Sequence, residues 1–187
     1  MPIPRLRIDE TALLVIDVQE KMEPTIADWD RMVHNCAILL KMAGELGIPS
    51  LVTEHYPKGL GRTVEKVASA MLDPSLRIEK TRFSAMVDLV DEHLRAWRKP
   101  TVLVCGIEAH VCVLQAVLDL HATGRQCFVV SDAISACQQD QIGPALRRME
   151  SVGAVTTGVM SAMYELMEDA KHPAFAACLE LVKTIRR

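Results

Sequence analysis

Short apolar segments recur along the chain, and the stretches between them carry apolar residues at helical spacing. Six segments fit buried strands: residues 11–17, 48–53, 75–80, 101–106, 126–132 and 154–158. The third of them, SLRIEK, contains three charged residues and fits less well than the others. Strands that are apolar along most of their length, rather than at alternate positions, are typical of a parallel sheet with both faces covered.

Helical spacing fills the intervals between these strands. It predicts long helices over 28–46, 86–97, 111–123 and 139–152, a short helix within 63–72, and a largely helical chain after residue 158. The alternation of strands and helices predicts an α/β protein: a three-layer α/β/α sandwich with a parallel sheet and right-handed crossovers. No repeat or linker interrupts the pattern, so residues 1–187 are interpreted as one domain.

Composition narrows the classes of function. Half of the residues are hydrophobic but only 4% are aromatic, so the core must come from aliphatic side chains and methionine. The net charge of −3, with both signs mixed along the chain, predicts no nucleic-acid partner. No apolar run is long enough to span a membrane, and MPIPRLRIDE at the start lacks the apolar segment of a signal peptide. We therefore expect a cytoplasmic protein without a membrane partner.

The six cysteines do not resemble a disulfide framework or a zinc site. There is no CxxC pair, and the spacing between cysteines and histidines is irregular. Four cysteines lie in apolar runs and are predicted to be small core side chains: Cys36, Cys105, Cys127 and Cys178. Cys112 and Cys137 lie near the ends of segments and remain candidates for a chemical role.

Three polar side chains follow different strands and are expected at one edge of the sheet. In open parallel sheets, ligands bind outside the carboxyl ends of the strands, which is where Asp17, Lys80 and Cys112 are predicted to lie. A helix N-terminus and Lys80 would both favour a thiolate at Cys112, and Asp17 could accept the thiol proton. Each residue also has an ordinary interpretation: Asp17 as a helix cap, Lys80 as a solvated charge, and Cys112 as a buried thiol.

Three blocks of sequence carry a resemblance to a known family. They are LLVIDVQ, EKTRFSAM, and VLVCGIEAHVCVLQAVLDL followed by GRQCFVVSDAIS, between about Thr11 and Val159. The chain resembles the isochorismatase-like cysteine hydrolases, a family related to nicotinamidases, and GIEAHVCV is most similar to its isochorismatase-domain-containing branch. The resemblance implies a six-stranded parallel sheet and a catalytic triad of Asp17, Lys80 and Cys112. It also implies a cis peptide bond between Ile107 and Glu108, with the backbone N–H groups of Glu108 and Cys112 forming an oxyanion hole.

The activity that the resemblance implies is hydrolysis of a small amide or carbamoyl C–N bond through a thioester on Cys112. The true isochorismatases act on an ether and can do so without a cysteine, so the presence of Cys112 favours amide chemistry. Nicotinamidases bind a metal after the second strand, where this chain offers only Glu54 and His55. Adjacent residues of an extended segment point in opposite directions, so we expect a metal-independent enzyme with no cofactor. Relatives are commonly oligomeric, which implies a homo-oligomer.

The substrate is expected to be a small molecule bound near Gln19, His55, Tyr56 and Phe83, which are candidate pocket residues. His110 lies two positions before Cys112, and at that spacing its ring is not expected to face the sulfur.

Two other functions compete with hydrolysis. One is a non-catalytic ligand-binding or scaffold protein on the same fold. The other is nucleotide binding, which is disfavoured because DVQEKM stands where a GxGxxG turn would follow the first strand.

Overall fold

Six parallel strands form a single sheet in the structure, a computed structural model that describes residues 3–185. The strands lie in the order β3-β2-β1-β4-β5-β6, and every pairing is parallel. Their bounds are β1 (Thr11–Ile16), β2 (Ser50–His55), β3 (Arg77–Lys80), β4 (Thr101–Gly106), β5 (Gln126–Ile134) and β6 (Val155–Thr157). The two central strands, β1 and β4, are buried at every position, which accounts for their unbroken apolar sequences.

Helices cover both faces of this sheet. They are α1 (Trp29–Glu45), α2 (Pro57–Leu60), α3 (Glu65–Ala68), α4 (Asp88–Ala96), α5 (Leu114–Ala122), α6 (Ile142–Ser151), α7 (Val159–Met167) and α8 (Phe175–Val182). One apolar core joins α1, α7 and α8 to Leu13 and Val15 of β1. The other joins α4, α5 and α6 to Leu14 and Ile16, which point to the opposite face. The predicted three-layer α/β/α sandwich with a six-stranded parallel sheet is confirmed.

The ends of several elements differ from the sequence prediction. Strand β2 begins at Ser50 rather than residue 48, because the amide of Ile48 still donates to Ala43 O and closes the end of α1. The helix predicted within 63–72 is only the single turn of α3. The helix predicted at 111–123 is preceded by a π-helical turn over Ala109–Val113, so α5 itself begins at Leu114. Among residues 3–185, no helix is both long and apolar enough to cross a bilayer.

The order of the strands reverses between β1 and β4, which opens a cleft at their carboxyl ends. Gly106 ends β4 beside Ile16, with a φ of 109°. A Cβ atom at Gly106 would lie 2.1 Å from Ile16 O, so this close approach requires glycine. Strand β3 reaches the same edge through β2, where His55 pairs with Lys80. The segments carrying Asp17, Lys80 and Cys112 therefore meet at one edge of the sheet.

Candidate active site

Lys80 and Asp17 form a buried ion pair at this edge. Lys80 Nζ lies 2.6 Å from Asp17 Oδ2, and the two side chains are 0% and 6% exposed. The same ammonium also donates to the carbonyl oxygens of Arg82 and Phe83, each at 3.1 Å. All three of its N–H donors thus have acceptors, which is the condition for keeping a charged amine out of water.

A threonine that the sequence did not single out completes the surroundings of Asp17. Thr53 is fully buried near the end of β2, and its hydroxyl donates to Asp17 Oδ1 at 2.7 Å. Asp17 itself lies one residue beyond β1 in the left-handed region, with a φ of 54°. Aspartate adopts this conformation more readily than most residues other than glycine. Both carboxylate oxygens are therefore held in fixed positions.

Cys112 lies against this carboxylate, in the π-helical turn before α5. Its thiol donates a hydrogen bond to Asp17, and its sulfur accepts one from the backbone N–H of Glu108. Burial, followed by the negative charge of Asp17, raises the pKa of the Cys112 thiol to about 12; the Lys80 charge and the Glu108 N–H act in the opposite direction. Burial and the Asp17 charge therefore favour a neutral thiol in the free protein, against the effect of Lys80 from which the sequence predicted a thiolate.

The segment before Cys112 turns sharply. The peptide bond between Ile107 and Glu108 is cis, the amide of Val113 donates to Glu108 O at 3.1 Å, and that of Ala109 donates to Ser135 O at 2.9 Å. We refer to residues 106–112 as the elbow. The carboxylate of Glu108 accepts a hydrogen bond from the backbone N–H of Cys137 at 2.8 Å, so this side chain joins the elbow to the loop after β5.

A cavity of about 260 Å³ opens beside Cys112. The ring of His55 stacks on that of Phe83 in its wall, with centroids 5.3 Å apart. Most of the other lining side chains are apolar, and the charged ones are two carboxylates. The lining residues are Asp17, Met22, His55, Leu60, Phe83, Ile107, Glu108, Val111 and Cys112. The cavity thus brings together the candidate nucleophile, its carboxylate partner and an aromatic wall.

Two of the four candidate pocket residues lie outside this cavity lining. Gln19 is fully buried: its amide donates to the carbonyls of His55 (3.0 Å) and Gly61 (2.7 Å), and its oxygen accepts from the His55 amide (2.7 Å). Its polar atoms are used to hold the loop after β2, so none remains for a substrate. Tyr56 is 53% exposed and borders a neighbouring groove of about 610 Å³, since its backbone turns away after β2 with a φ of 40°.

Glu54, considered above as a metal ligand, is committed to structural contacts. Its buried carboxylate accepts hydrogen bonds from the backbone and hydroxyl of Thr63 and from Arg62, at 2.7–2.8 Å. Burial alone would raise the pKa of Glu54, but these hydrogen bonds and the Arg77 charge lower it overall. His110 is not among the residues that line the cavity.

The cysteines divide as predicted for the core. Cys36, Cys105, Cys127 and Cys178 are buried and free, and Cys137 is free and exposed. Burial is the leading reason why the pKa values of the Cys105, Cys127 and Cys178 thiols are raised. Core packing is thus confirmed for the first four residues.

Comparison with known proteins extends these observations. A sequence model of the isochorismatase domain matches residues 11–160. The chain is 37% identical to an isochorismatase domain-containing protein 2 of Danio rerio, covering 96% of this chain and 90% of the relative. It is 36% identical to a secreted isochorismatase effector Isc1 of Phytophthora sojae, covering 96% and 87%.

Solved structures are also similar to this chain. A MAR1 ribonuclease of Caenorhabditis elegans superposes with a TM-score of 0.92 at 34% identity, covering 97% of this chain and 93% of that one. The YcaC product of Escherichia coli, described as an octameric hydrolase of unknown specificity, has a TM-score of 0.85 at 22% identity over 100% of both chains.

Proposed function

Because the chain belongs to the isochorismatase family and carries a family-type hydrolase domain, we propose that it is a metal-independent cysteine hydrolase that cleaves a small amide or carbamoyl C–N bond. The observation that supports this most directly is the hydrogen-bonded series from Lys80 through Asp17 to the Cys112 thiol at the cavity wall. A nucleophile, a base beside it and a third group that orients the base are the parts that nucleophilic catalysis requires.

The first step is attack by sulfur on the carbonyl carbon of the bound substrate. The resting thiol is neutral, so its proton moves to the Asp17 carboxylate as the C–S bond forms and the C=O electron pair moves onto oxygen. Lys80 remains charged throughout and keeps the Asp17 carboxylate in position at 2.6 Å. The product of this step is a tetrahedral oxyanion bound to Cys112.

The oxyanion is placed next to the elbow. The backbone N–H of Glu108 already donates to the Cys112 sulfur, so it lies within reach of an oxygen on the carbon that the sulfur attacks. With the N–H of Cys112 as the second donor, the elbow supplies the oxyanion hole. Loss of one such donor costs about 2.7–4 kcal/mol of transition-state stabilisation in enzymes of this general type.

Collapse of the oxyanion breaks the C–N bond, and the leaving amine takes the proton from Asp17. Water then attacks the thioester while Asp17 accepts a proton from it, and the acid is released as that proton returns to the sulfur. The net reaction consumes one water and regenerates the thiol and the carboxylate, so no oxidant or reductant takes part.

The cavity restricts the substrate by size and charge. About 260 Å³ is at or below the lower end of the range for small-molecule pockets. Among the residues that line it, Asp17 and Glu108 are the charged groups, and no lysine or arginine is present to receive an anion. We therefore expect uncharged or cationic amides with an apolar or aromatic portion that contacts Phe83.

The test is a screen of small amides, ureides and carbamates for ammonia or amine release, with Cys112→Ala as the blank. Asp17→Asn is expected to lose turnover as completely, and mass spectrometry of quenched reactions should find an acyl group on Cys112. Turnover at the parent rate by Cys112→Ala would refute the proposal. Stoichiometric binding of a compound without release of amine would favour the ligand-binding alternative.

Ribonuclease activity is a second candidate, because the C. elegans relative is described as a ribonuclease and is 34% identical. Two features oppose it here: the net charge of −3 and a cavity whose charged lining groups are carboxylates. Incubation with labelled single-stranded RNA at low salt separates the two, since cleavage that requires Cys112 would support the ribonuclease.

We further propose that the protein is a homo-oligomer, by analogy with the octameric E. coli hydrolase. Multi-angle light scattering gives the number of subunits directly. The cytoplasmic location stays a prediction, since one relative is described as a secreted effector.

A further inference from the structure

Three side chains capable of binding a metal meet beside the elbow, away from the pair formed by Lys80 and Asp17. One ligand atom from each of Glu108, His110 and Cys137 lies within 4.8 Å of the others. Glu108 and Cys137 are 29 positions apart, and the sequence spacing therefore gave no indication of this cluster. Among residues 3–185, these are the three potential metal ligands that the fold brings this close together.

The separations suit a transition-metal ion. Bond lengths of about 2.0–2.3 Å at a tetrahedral zinc place neighbouring ligand atoms about 3.4–3.6 Å apart. The ligand atoms are therefore at most about 1.4 Å too far apart, a distance that rotation of the exposed Cys137 and the half-buried Glu108 and His110 side chains closes. The hydrogen bond from the Cys137 backbone to Glu108 Oε2 already holds two of the ligands together, and the Cys137 thiol also contacts this carboxylate, which raises the pKa of the thiol.

His110 provides a separate indication. Its Nδ1 is buried and has no hydrogen-bond partner among the described residues. Buried polar atoms are rarely left without a hydrogen-bond partner, because the free-energy cost of removing them from water is then not compensated. A cation bound at Nδ1 would be the partner that this atom lacks among the described residues.

We propose that Glu108, His110 and Cys137 bind one divalent transition-metal ion, with Zn²⁺ as the best match. A thiolate, an imidazole and a carboxylate form a borderline-soft ligand set, and three protein ligands leave a fourth position for water. On binding, Cys137 loses its thiol proton to solvent and the imidazole coordinates in its neutral form. This site goes beyond the proposed hydrolysis, whose steps involve Asp17 and Cys112 without a metal.

The position of the site gives it a defined consequence. Glu108 and His110 belong to the elbow, whereas Cys137 belongs to the loop after β5. The ion would therefore connect these two segments at the edge of the cavity that Glu108 lines. Because Cys137 is exposed, coordination would also protect its sulfur from alkylating reagents.

The experiment titrates the chelator-treated full chain with Co²⁺ and Zn²⁺. We expect one equivalent of Co²⁺ to produce a thiolate-to-cobalt charge-transfer band in the near ultraviolet, which Zn²⁺ then removes. Cys137→Ser should abolish the band, and His110→Gln and Glu108→Gln should weaken binding by more than the 10–100-fold typical of losing an outer-shell partner. Zn²⁺ should slow iodoacetamide modification of Cys137, followed by peptide mass spectrometry.

Two controls make the outcome decisive. His121→Gln removes an exposed histidine outside the cluster and should leave metal affinity unchanged. Cys112→Ala removes the other candidate thiol and should also retain the charge-transfer band. A band that disappears in Cys112→Ala but persists in Cys137→Ser would overturn the proposal, as would absence of binding at 100 equivalents of metal. If Cys137→Ser were misfolded by circular dichroism, Cys137→Ala would replace it.

Discussion

Removing the charge of Lys80 should destabilise the fold much more than removing a surface charge. In Lys80→Met, the side chain keeps its length and apolar stem, but Asp17 is left ionised and 6% exposed, with only the uncharged donors Thr53 and Cys112 beside it. The carbonyls of Arg82 and Phe83 lose their donor as well. Breaking a buried pair by removing one partner costs about 3–5 kcal/mol. With an m-value of about 2 kcal/mol/M, the urea midpoint should fall by roughly 1.5–2.5 M.

The assay is urea unfolding followed by circular dichroism, with Lys183→Met as the matched control. Lys183 lies 2.6 Å from Glu180, the same distance as in the buried pair, but these side chains are 60% and 71% exposed. Its loss should change the free energy of unfolding by no more than about 0.5 kcal/mol. The double variant Asp17→Asn/Lys80→Met should recover part of the loss, because no lone charge stays buried. Equal midpoints for Lys80→Met and Lys183→Met would refute the reasoning.

Three further variants test the site and the fold. Thr53→Val removes the hydroxyl that donates to Asp17 and should cost about 1.5–3 kcal/mol in urea unfolding, whereas Thr53→Ser should restore most of it. Asp17→Asn removes the negative charge that helps raise the pKa of Cys112. With chelator present, iodoacetamide should therefore modify Cys112 faster at pH 8 than in the parent protein, and a slower reaction would contradict this direction of the pKa shift. Gly106→Ala places a methyl group 2.1 Å from Ile16 O and should prevent recovery of folded protein, and a normal melting curve would rule out this close approach.

The fold could be predicted from the sequence because parallel strands that are buried on both faces are apolar along most of their length. β1 and β4 read as unbroken apolar runs and are buried at every position. The errors fall where local hydrogen bonds decide the boundary, as at Ile48, whose amide still closes α1. Apolar periodicity also could not reveal that residues 109–113, which begin inside the elbow, form a π-helical turn.

For the site, strand ends predicted which charged residues meet but not how they are held. Asp17 follows β1 and Lys80 ends β3, on the two sides of β2, so topology places both at the same edge of the sheet and the long lysine side chain spans the gap. Thr53 was missed because a threonine in a buried strand is an ordinary β residue by composition. The contacts of Gln19 could not be predicted, because a side chain that follows a strand can point into the cleft or bind the next loop, and only the three-dimensional path of residues 55–61 decides between them.

Because the Cys112 thiol is neutral, its rate of alkylation does not reveal whether the protein is an enzyme. A cysteine with a pKa of about 12 reacts slowly with iodoacetamide near neutral pH whether or not the protein is an enzyme. In the proposed mechanism, the proton leaves sulfur only while a carbonyl oxygen gains charge beside the N–H of Glu108. Alkylation by iodoacetamide develops no such charge on an oxygen at that position, so the N–H groups of the elbow do not accelerate it. Slow alkylation of Cys112 is therefore compatible with catalysis. The informative reagents are carbonyl compounds small enough for the cavity, because they alone use the base and the oxyanion donors at the same time.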